Sequence, residues 1–79
     1  MSVEVRLPQW GMAMLDAEVV RWLKRVGDRV EEGEPIVEVE AAKVSGSVDA
    51  PASGTLAQIV VAEGETAEVA QLLAVIEPA

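Results

Sequence analysis

The sequence predicts an all-β domain, either a sandwich or a barrel of short strands, and three observations favour it. Val is the most frequent apolar residue, and β-branched side chains pack well on a pleated surface. Several stretches alternate apolar and polar residues, which is the period of a half-buried strand. Turn signals rich in Gly and Pro separate these stretches, and 79 residues are enough for only one such domain.

Five segments have the composition and pattern of strands. Residues 3–7 and 37–40 alternate, while residues 19–26, 55–62 and 72–76 mix branched apolar side chains with polar ones. The turn signals lie at residues 8–11, 27–28, 33–35, 51–54 and 64. Residues 16–25 also fit a helix, but their valines and Trp22 favour a strand.

A repeated pattern divides the chain into two similar halves. The glycine turn at residues 27–30 recurs at 64–67, and the apolar positions around it agree at the same offset of 37 residues. The Pro-x-x-Gly motif at 8–11 recurs at 51–54 with an offset of 43, so the first half has six extra residues within 12–17. Two such halves facing each other predict a sandwich with a pseudo-twofold axis, and the extra residues predict a surface loop.

The composition excludes several classes of function. The net charge of −8, from 14 acidic and 6 basic residues, would repel a nucleic acid. No stretch reaches the roughly 18 apolar residues of a membrane span, and no signal peptide opens the chain. We therefore expect neither a nucleic-acid nor a membrane partner. The lack of Cys fits a reducing compartment.

Missing residue types also limit the chemistry of the chain. Without His and Cys, a Ser-His-Asp triad, a Cys-His pair and the usual zinc sites are impossible. The acidic cluster of Asp28, Glu31, Glu32 and Glu34 has the wrong spacing for a calcium loop and predicts a solvated turn. We expect no catalytic residue and no metal site, so the chain is not an enzyme on its own.

The two lysines occupy different contexts. Lys24 lies within the predicted strand 19–26 and is expected to be a solvated strand residue. Lys43 lies between the extended segments 37–40 and 44–48, which predicts a hairpin tip at residues 41–43. Ala and Lys resist the positive φ angles of a type I′ turn, so a type I turn is favoured. A charged amine is a poor nucleophile at neutral pH, so we do not expect catalysis by Lys43 itself. Spacing alone favours an ordinary surface lysine.

A series of short motifs runs in order along nearly the whole chain: Trp22-Leu23, Gly27-Asp28-x-Val30, Gly33-x-Pro35-Ile36, Val39-Glu40-x-x-Lys43-Val44, Ala50-Pro51-x-x-Gly54 and Glu63-Gly64-Glu65. In order and spacing these motifs resemble the biotinyl/lipoyl carrier family. The resemblance implies a flattened barrel of two four-stranded antiparallel sheets with pseudo-twofold symmetry and a modified lysine at a hairpin tip. It also implies a carrier domain at residues 1–77, with 78–79 as the start of an Ala/Pro-rich linker.

The neighbours of Lys43 separate the two branches of the family. Biotin carriers usually have Met on both sides of the lysine, whereas this chain has Ala42 and Val44. Lipoyl domains usually have Glu three residues before it, as Glu40 is here, although they commonly have Asp where Ala42 stands. The resemblance thus implies covalent lipoic acid, as lipoamide on Lys43, with Glu40, Ala42 and Val44 read by a lipoyl ligase or transferase. A biotinyl carrier remains the alternative.

The resemblance further implies a role in a 2-oxoacid dehydrogenase-type complex. The lipoyl group would be reductively acylated by a thiamine-diphosphate enzyme, would deliver the acyl group to an acyltransferase core and coenzyme A, and would be reoxidised by dihydrolipoamide dehydrogenase. The parent chain would be a dihydrolipoamide acyltransferase. The segment at residues 7–14 is similar to the opening of acetoin and pyruvate dehydrogenase lipoyl domains, and Trp10-Gly11 leans toward acetoin.

The extra residues and the cellular setting complete these expectations. Met12, Met14 and Leu15 are expected either to contact the thiamine-diphosphate enzyme or to fold back and cap the core. We expect a bacterial cytoplasm, with the mitochondrial matrix open for a processed chain. A rival from another class is an unmodified β-sandwich that binds a partner through its acidic face.

Overall fold

The chain forms two four-stranded antiparallel sheets, which confirms the predicted all-β architecture. A computed structural model describes residues 2–12 and 14–79, and no helix occurs among them. The strands are β1 (Val3–Arg6), β2 (Asp16–Trp22), β3 (Arg29–Val30), β4 (Pro35–Glu40), β5 (Ser45–Asp49), β6 (Gly54–Ile59), β7 (Thr66–Glu68) and β8 (Leu72–Pro78). One sheet has the order β1-β8-β6-β3 and the other has the order β5-β4-β2-β7.

The structure relates the two halves by the predicted pseudo-twofold symmetry. An offset of 37 residues carries β2, β3 and β4 onto β6, β7 and β8, and the offset of 43 carries β1 onto β5. The two sheet orders then become identical. The hydrogen bonds agree as well, because Gly27 N–H donates to the Leu56 carbonyl at 2.7 Å and Gly64 N–H donates to the Val19 carbonyl at 2.8 Å. The internal repeat is therefore a repeat of backbone contacts.

The strand β2 differs from its prediction at both ends. It begins at Asp16 and ends at Trp22, so the helix alternative is wrong and the predicted range 19–26 is displaced. The ladder stops there because the chain turns at residues 25–28, where Asp28 N–H donates to the Arg25 carbonyl at 2.9 Å. Lys24 consequently lies outside the strand, which corrects its assignment as a strand residue.

Two other predicted boundaries, the end of β6 and the end of the domain, also differ from those in the structure. The strand β6 ends at Ile59, before the predicted 62, because Val60 and Val61 both donate their N–H groups to the single carbonyl of Leu73. The predicted domain boundary after residue 77 falls inside the ladder of β8, where Pro78 pairs with Gly54. Ala79 N–H then donates to the Ser53 carbonyl at 3.2 Å, so residues 78–79 are part of the folded domain.

Four turns at symmetry-related positions close the strand connections. In each, the N–H of the fourth residue donates to the carbonyl of the first, and the third residue has a positive φ. These third residues are Gly27 (98°), Gly33 (86°), Gly64 (86°) and Ala70 (71°). A positive φ at that position is what a type II turn requires, and Gly adopts it without steric cost. Ala70 stands where the repeat has Gly33 in the other half.

The core lies between the sheets and is built from branched apolar side chains. The largest fully buried ones are Leu7, Ile36, Leu56, Leu73 and Ile76. No polar or charged residue among the described residues is buried. A small core without buried polar groups depends on its apolar area, at roughly 25 cal/mol per Å² removed from water.

No helix long and apolar enough to cross a membrane occurs in the ranges 2–12 and 14–79.

Candidate functional site

Lys43 lies in the turn that joins β4 to β5. The ladder of this hairpin ends at the pair Glu40↔Ser45, and residues 41–44 connect the strands. Ala41 N–H donates to the Val44 carbonyl at 2.7 Å, and Ala41 packs partly against the core. Ala42 and Lys43 are exposed, and neither has a positive φ, which excludes a type I′ turn as expected. Lys43 is therefore exposed to solvent on a turn that is held by the Ala41–Val44 hydrogen bond and by the packing of Ala41 against the core.

The Lys43 side chain has no carboxylate partner among the described residues. None of the ion pairs in the described part of the chain includes it. Glu40 is exposed at the end of β4 and pairs across the sheet with Glu18, so the strand ends beneath the turn carry negative charge. A side chain without a partner keeps its rotamer freedom, which lets an enzyme draw it into an extended conformation.

Lys24 shows the opposite environment. Its side chain is only 28% exposed, and its Nζ lies 3.1 Å from a carboxylate oxygen of Glu34. A hydrogen bond from the Glu31 backbone N–H, followed by the contact with Lys24, holds the pKa of the Glu34 carboxyl below its usual value. Lys24 is therefore held by a partner and is less accessible than Lys43.

The loop that precedes β2 lies beside the hairpin tip. Residues 10–12, 14–16 and 41–44 line a groove of about 540 Å³. The expected loop within 12–17 is shorter than predicted, because Asp16 and Ala17 already belong to β2. Ala13 lies outside the described residues.

The two expected roles of the loop, capping the core and offering an exposed contact, fall to different residues among Met12, Met14 and Leu15. Met14 is only 7% exposed and belongs to the core cluster, so it caps the core and cannot offer an exposed contact. Its sulfur also lies 3.4 Å from the Trp10 backbone nitrogen, which donates to it. Met12 is 99% exposed and Leu15 is 78% exposed, so both are open to a partner.

Trp10 is a residue of the site whose position the sequence did not reveal. Its ring lies over Gly46 on β5, since a Cβ added there would come within 3.4 Å of the ring atom Cη2. Gly46 leaves room for the aromatic face, and the contact fixes the loop against the hairpin. A Gly within a predicted strand is the one available signal for such a close approach.

The fold and the tip define a small two-sheet β-domain that presents one lysine at a hairpin turn. A family model labelled Biotin_lipoyl and described as "Biotin-requiring enzyme" matches residues 3–76, almost the entire chain. The chain therefore belongs to the biotinyl/lipoyl domain family, as its motifs indicated.

Curated relatives include components of the acetoin cleaving system and of the 2-oxoglutarate dehydrogenase complex. The chain is 43% identical over 70 residues to the dihydrolipoyllysine-residue acetyltransferase component of the acetoin cleaving system of Pseudomonas putida, covering 89% of this chain and 19% of that protein. It is 48% identical over 65 residues to the corresponding Bacillus subtilis component, covering 82% and 16%. It is 40% identical over 77 residues to the succinyltransferase component of the 2-oxoglutarate dehydrogenase complex of Bartonella vinsonii, covering 98% and 19%. The chain thus spans less than a fifth of these relatives.

Solved structures support the same fold. The lipoyl domain of the 2-oxoglutarate dehydrogenase complex from Azotobacter vinelandii matches with a TM-score of 0.76 and 33% identity, covering 98% of this chain and 99% of that one. The urea carboxylase of Kluyveromyces lactis matches with a TM-score of 0.81 and 26% identity, covering 98% of this chain but 6% of that one. The complete match with an isolated lipoyl domain shows that one such domain accounts for all eight strands.

Proposed function

We propose that the chain is a lipoyl carrier domain of a dihydrolipoamide acyltransferase, with Lys43 as the attachment site. The supporting observation is an exposed lysine that has no ion-pair partner among the described residues. It lies on a hairpin turn of a domain whose curated relatives are named as dihydrolipoyllysine-residue acetyltransferase and succinyltransferase components. The chain itself is a substrate and carrier, since it has no His or Cys to form a common catalytic pair.

The residues around Lys43 fit the attachment of an acyl group by amide formation. Ala42 adds little bulk beside the lysine, and the backbone hydrogen bond between Ala41 and Val44 keeps the turn closed while the side chain extends. We propose that a lipoyl ligase or transferase reads Glu40, Ala42 and Val44 together with this turn. When bound, the lipoyl group supplies a cyclic disulfide that can carry an acyl group as a thioester.

The rest of the proposed role concerns the partners. A thiamine-diphosphate enzyme would acylate the lipoyl group reductively, the acyltransferase core would take the acyl group to coenzyme A, and dihydrolipoamide dehydrogenase would restore the disulfide. The domain contributes a high local concentration of the carried group near each partner. The bacterial sources of the relatives favour the bacterial cytoplasm as its compartment. Acetoin, pyruvate and 2-oxoglutarate systems all occur among them, so acylation by each purified decarboxylating enzyme identifies the complex.

The attachment site is tested with two matched lysine variants. The parent, Lys43→Arg and Lys24→Arg are incubated with a lipoyl ligase and lipoic acid, and intact mass and peptide mapping follow. We expect the lipoyl mass on Lys43 in the parent and in Lys24→Arg, and no added mass on Lys43→Arg. Because an exposed turn residue contributes under about 0.5 kcal/mol, Lys43→Arg should keep the melting temperature of the parent.

Three outcomes would contradict the proposal. Modification of Lys24 would move the site, and no modification at all would favour an unmodified interaction module. Efficient modification of the parent by a biotin ligase, with none by the lipoyl ligase, would favour the biotinyl branch of the family. Each outcome is a difference in mass that one spectrum resolves.

A further inference from the structure

We propose that the groove lined by residues 10–12, 14–16 and 41–44, the tip groove, binds the dithiolane ring of the group carried on Lys43. The bound state is intramolecular, and it alternates with a free state in which the arm extends into solvent. The inference rests on the proposed function, because it needs the lipoyl group at Lys43.

The exposed apolar surface of the domain is concentrated in the tip groove. Seven large hydrophobic residues are exposed among the described residues, and four of them line this groove: Trp10, Met12, Leu15 and Val44. Exposed apolar side chains scattered singly need no explanation, whereas a contiguous set beside a candidate site indicates binding. The remaining three, Val20, Val26 and Val60, do not line it.

The wall formed by Trp10 is fixed in advance. Its ring rests on Gly46, and its backbone N–H donates to the buried sulfur of Met14. The ring is still 37% exposed, so part of the indole remains available to a ligand. A preformed wall lowers the entropy that binding must overcome, and Met12 can adapt its unbranched side chain to the shape of the ligand.

The occupant follows from the connectivity. Lys43 itself lines the groove, so a group on its Nζ starts at the groove and needs no search through solution. The acyl chain and the dithiolane ring are apolar, and the volume of about 540 Å³ lies within the roughly 300–1,000 Å³ of small-ligand sites. Sulfur at the edge of an aromatic ring adds a favourable contact, which Trp10 can supply. A tethered group also has an effective concentration in the millimolar range, so even weak binding is populated.

A second copy of this chain is a poorer occupant. The net charge of −8 opposes self-association, and Asp16 places a carboxylate among the lining residues. The neutral lipoyl arm meets no such repulsion. The groove therefore favours the group on its own rim, where the bound state covers the disulfide until a partner displaces it.

The first experiment uses the two tryptophans as internal probe and control. The indole N–H signals of Trp10 and Trp22 are recorded by NMR for the unmodified, octanoylated and lipoylated forms of the chain of 79 residues. Trp22 pairs with Val37 at the far end of β2, and its indole nitrogen donates to the Val61 carbonyl at 2.8 Å. We expect the Trp10 signal to shift on lipoylation, to shift less on octanoylation, and to change again when the disulfide is reduced, while Trp22 stays unchanged.

The second experiment measures protection of the disulfide. If the bound state holds at least half of the molecules, a small phosphine should reduce the dithiolane at least about twofold more slowly on the protein than in free lipoamide. Leu15→Ser should restore the faster rate, because it removes one apolar wall at a position that is 78% exposed. Val60→Ser is the matched control, since it changes an exposed valine outside the groove and should leave the rate unchanged.

The results separate this inference from the proposed function. If mass spectrometry finds no lipoyl group on Lys43, both are overturned. If the group is present but the Trp10 signal does not move, or moves no more than that of Trp22, only the groove is overturned. Equal reduction rates for the parent and Leu15→Ser would also overturn it, whatever the NMR shows.

Discussion

In the four equivalent turns, Ala70 is the only residue with positive φ that has a Cβ. Its φ of 71° compares with 86° for Gly33, the residue at the same position in the other half. The surrounding hydrogen bonds match, since Ala70 N–H donates to the Leu7 carbonyl and Gly33 N–H donates to the Ala50 carbonyl, each at 2.9 Å. The pair therefore allows the same backbone conformation to be tested with both residues in both halves.

The expected magnitude comes from two opposing effects. A left-handed conformation costs a residue with Cβ roughly 1–2 kcal/mol, and Ala70→Gly removes that cost. The added freedom of Gly in the unfolded chain offsets about 0.4–1 kcal/mol of the gain. At the centre of these two ranges the net stabilisation is about 0.8 kcal/mol, or about 3–6 °C in melting temperature for a domain of this size. Gly33→Ala should lose a similar amount, because a Cβ there meets no atom within 4 Å and only the backbone changes.

Thermal unfolding of the parent and both variants, followed by far-ultraviolet circular dichroism, checks the two shifts. Ala70 is exposed, so Ala70→Gly removes little buried area that could obscure the effect. Opposite shifts of similar size are expected. If Ala70→Gly lowers the melting temperature, or if both variants shift it in the same direction, the assignment of strain to this turn is refuted.

Three further perturbations test the fold and the site. Gly54→Ala should destabilise the domain by about 1–3 kcal/mol or more in urea unfolding, because the new Cβ would overlap the backbone carbonyl of the paired strand β8; an unchanged midpoint would contradict this close approach. Glu34→Gln should change the pH dependence of stability, because a backbone N–H and Lys24 lower the pKa of the Glu34 carboxyl. The stabilisation that ionised Glu34 gives the folded state is complete above about pH 4.5 and is lost as the pH falls through its lower pKa in the folded protein. Urea midpoints from pH 6 to 2 should converge for parent and variant in acid, and curves that stay parallel would argue against the shift. Ala42→Met with Val44→Met should raise biotinylation by a biotin ligase above that of the parent, measured by intact mass, and equal labelling would show that other residues separate the two branches.

The sequence predicted the repeat well because the repeat depends on the chemistry of single residues. The positive φ of the turns at Gly27, Gly33 and Gly64 favours Gly, and the apolar positions between them are buried, so both features are visible in the sequence. The strands β3 and β7 were not predicted, because two and three residues are too few to show a period. Strand ends were the other errors, since they depend on which carbonyl a turn captures, as Leu73 captures Val60 and Val61.

The candidate site was predictable in its position but only partly in its surroundings. Lys43 is marked by its place between two extended segments and by the motif around it. The burial of Met14 and the packing of Trp10 on Gly46 depend on how the loop folds across to β5, and the only local signal for this contact is the Gly within the strand. The sequence therefore predicted the lysine and the loop but not the groove between them.

The end of the chain is fastened far from the Lys43 turn. Ala79 bonds to the Ser53 carbonyl, and the Ser53 hydroxyl accepts from Glu32 N–H in the turn that precedes β4. Lys43 follows the other end of β4, whose six residues span about 20 Å at roughly 3.3 Å each. A purification tag, a dye or a sensor surface joined after Ala79 would therefore sit behind the molecule and leave the lysine facing solution. An immobilised sample should therefore keep the Lys43 turn accessible to any protein flowed past it.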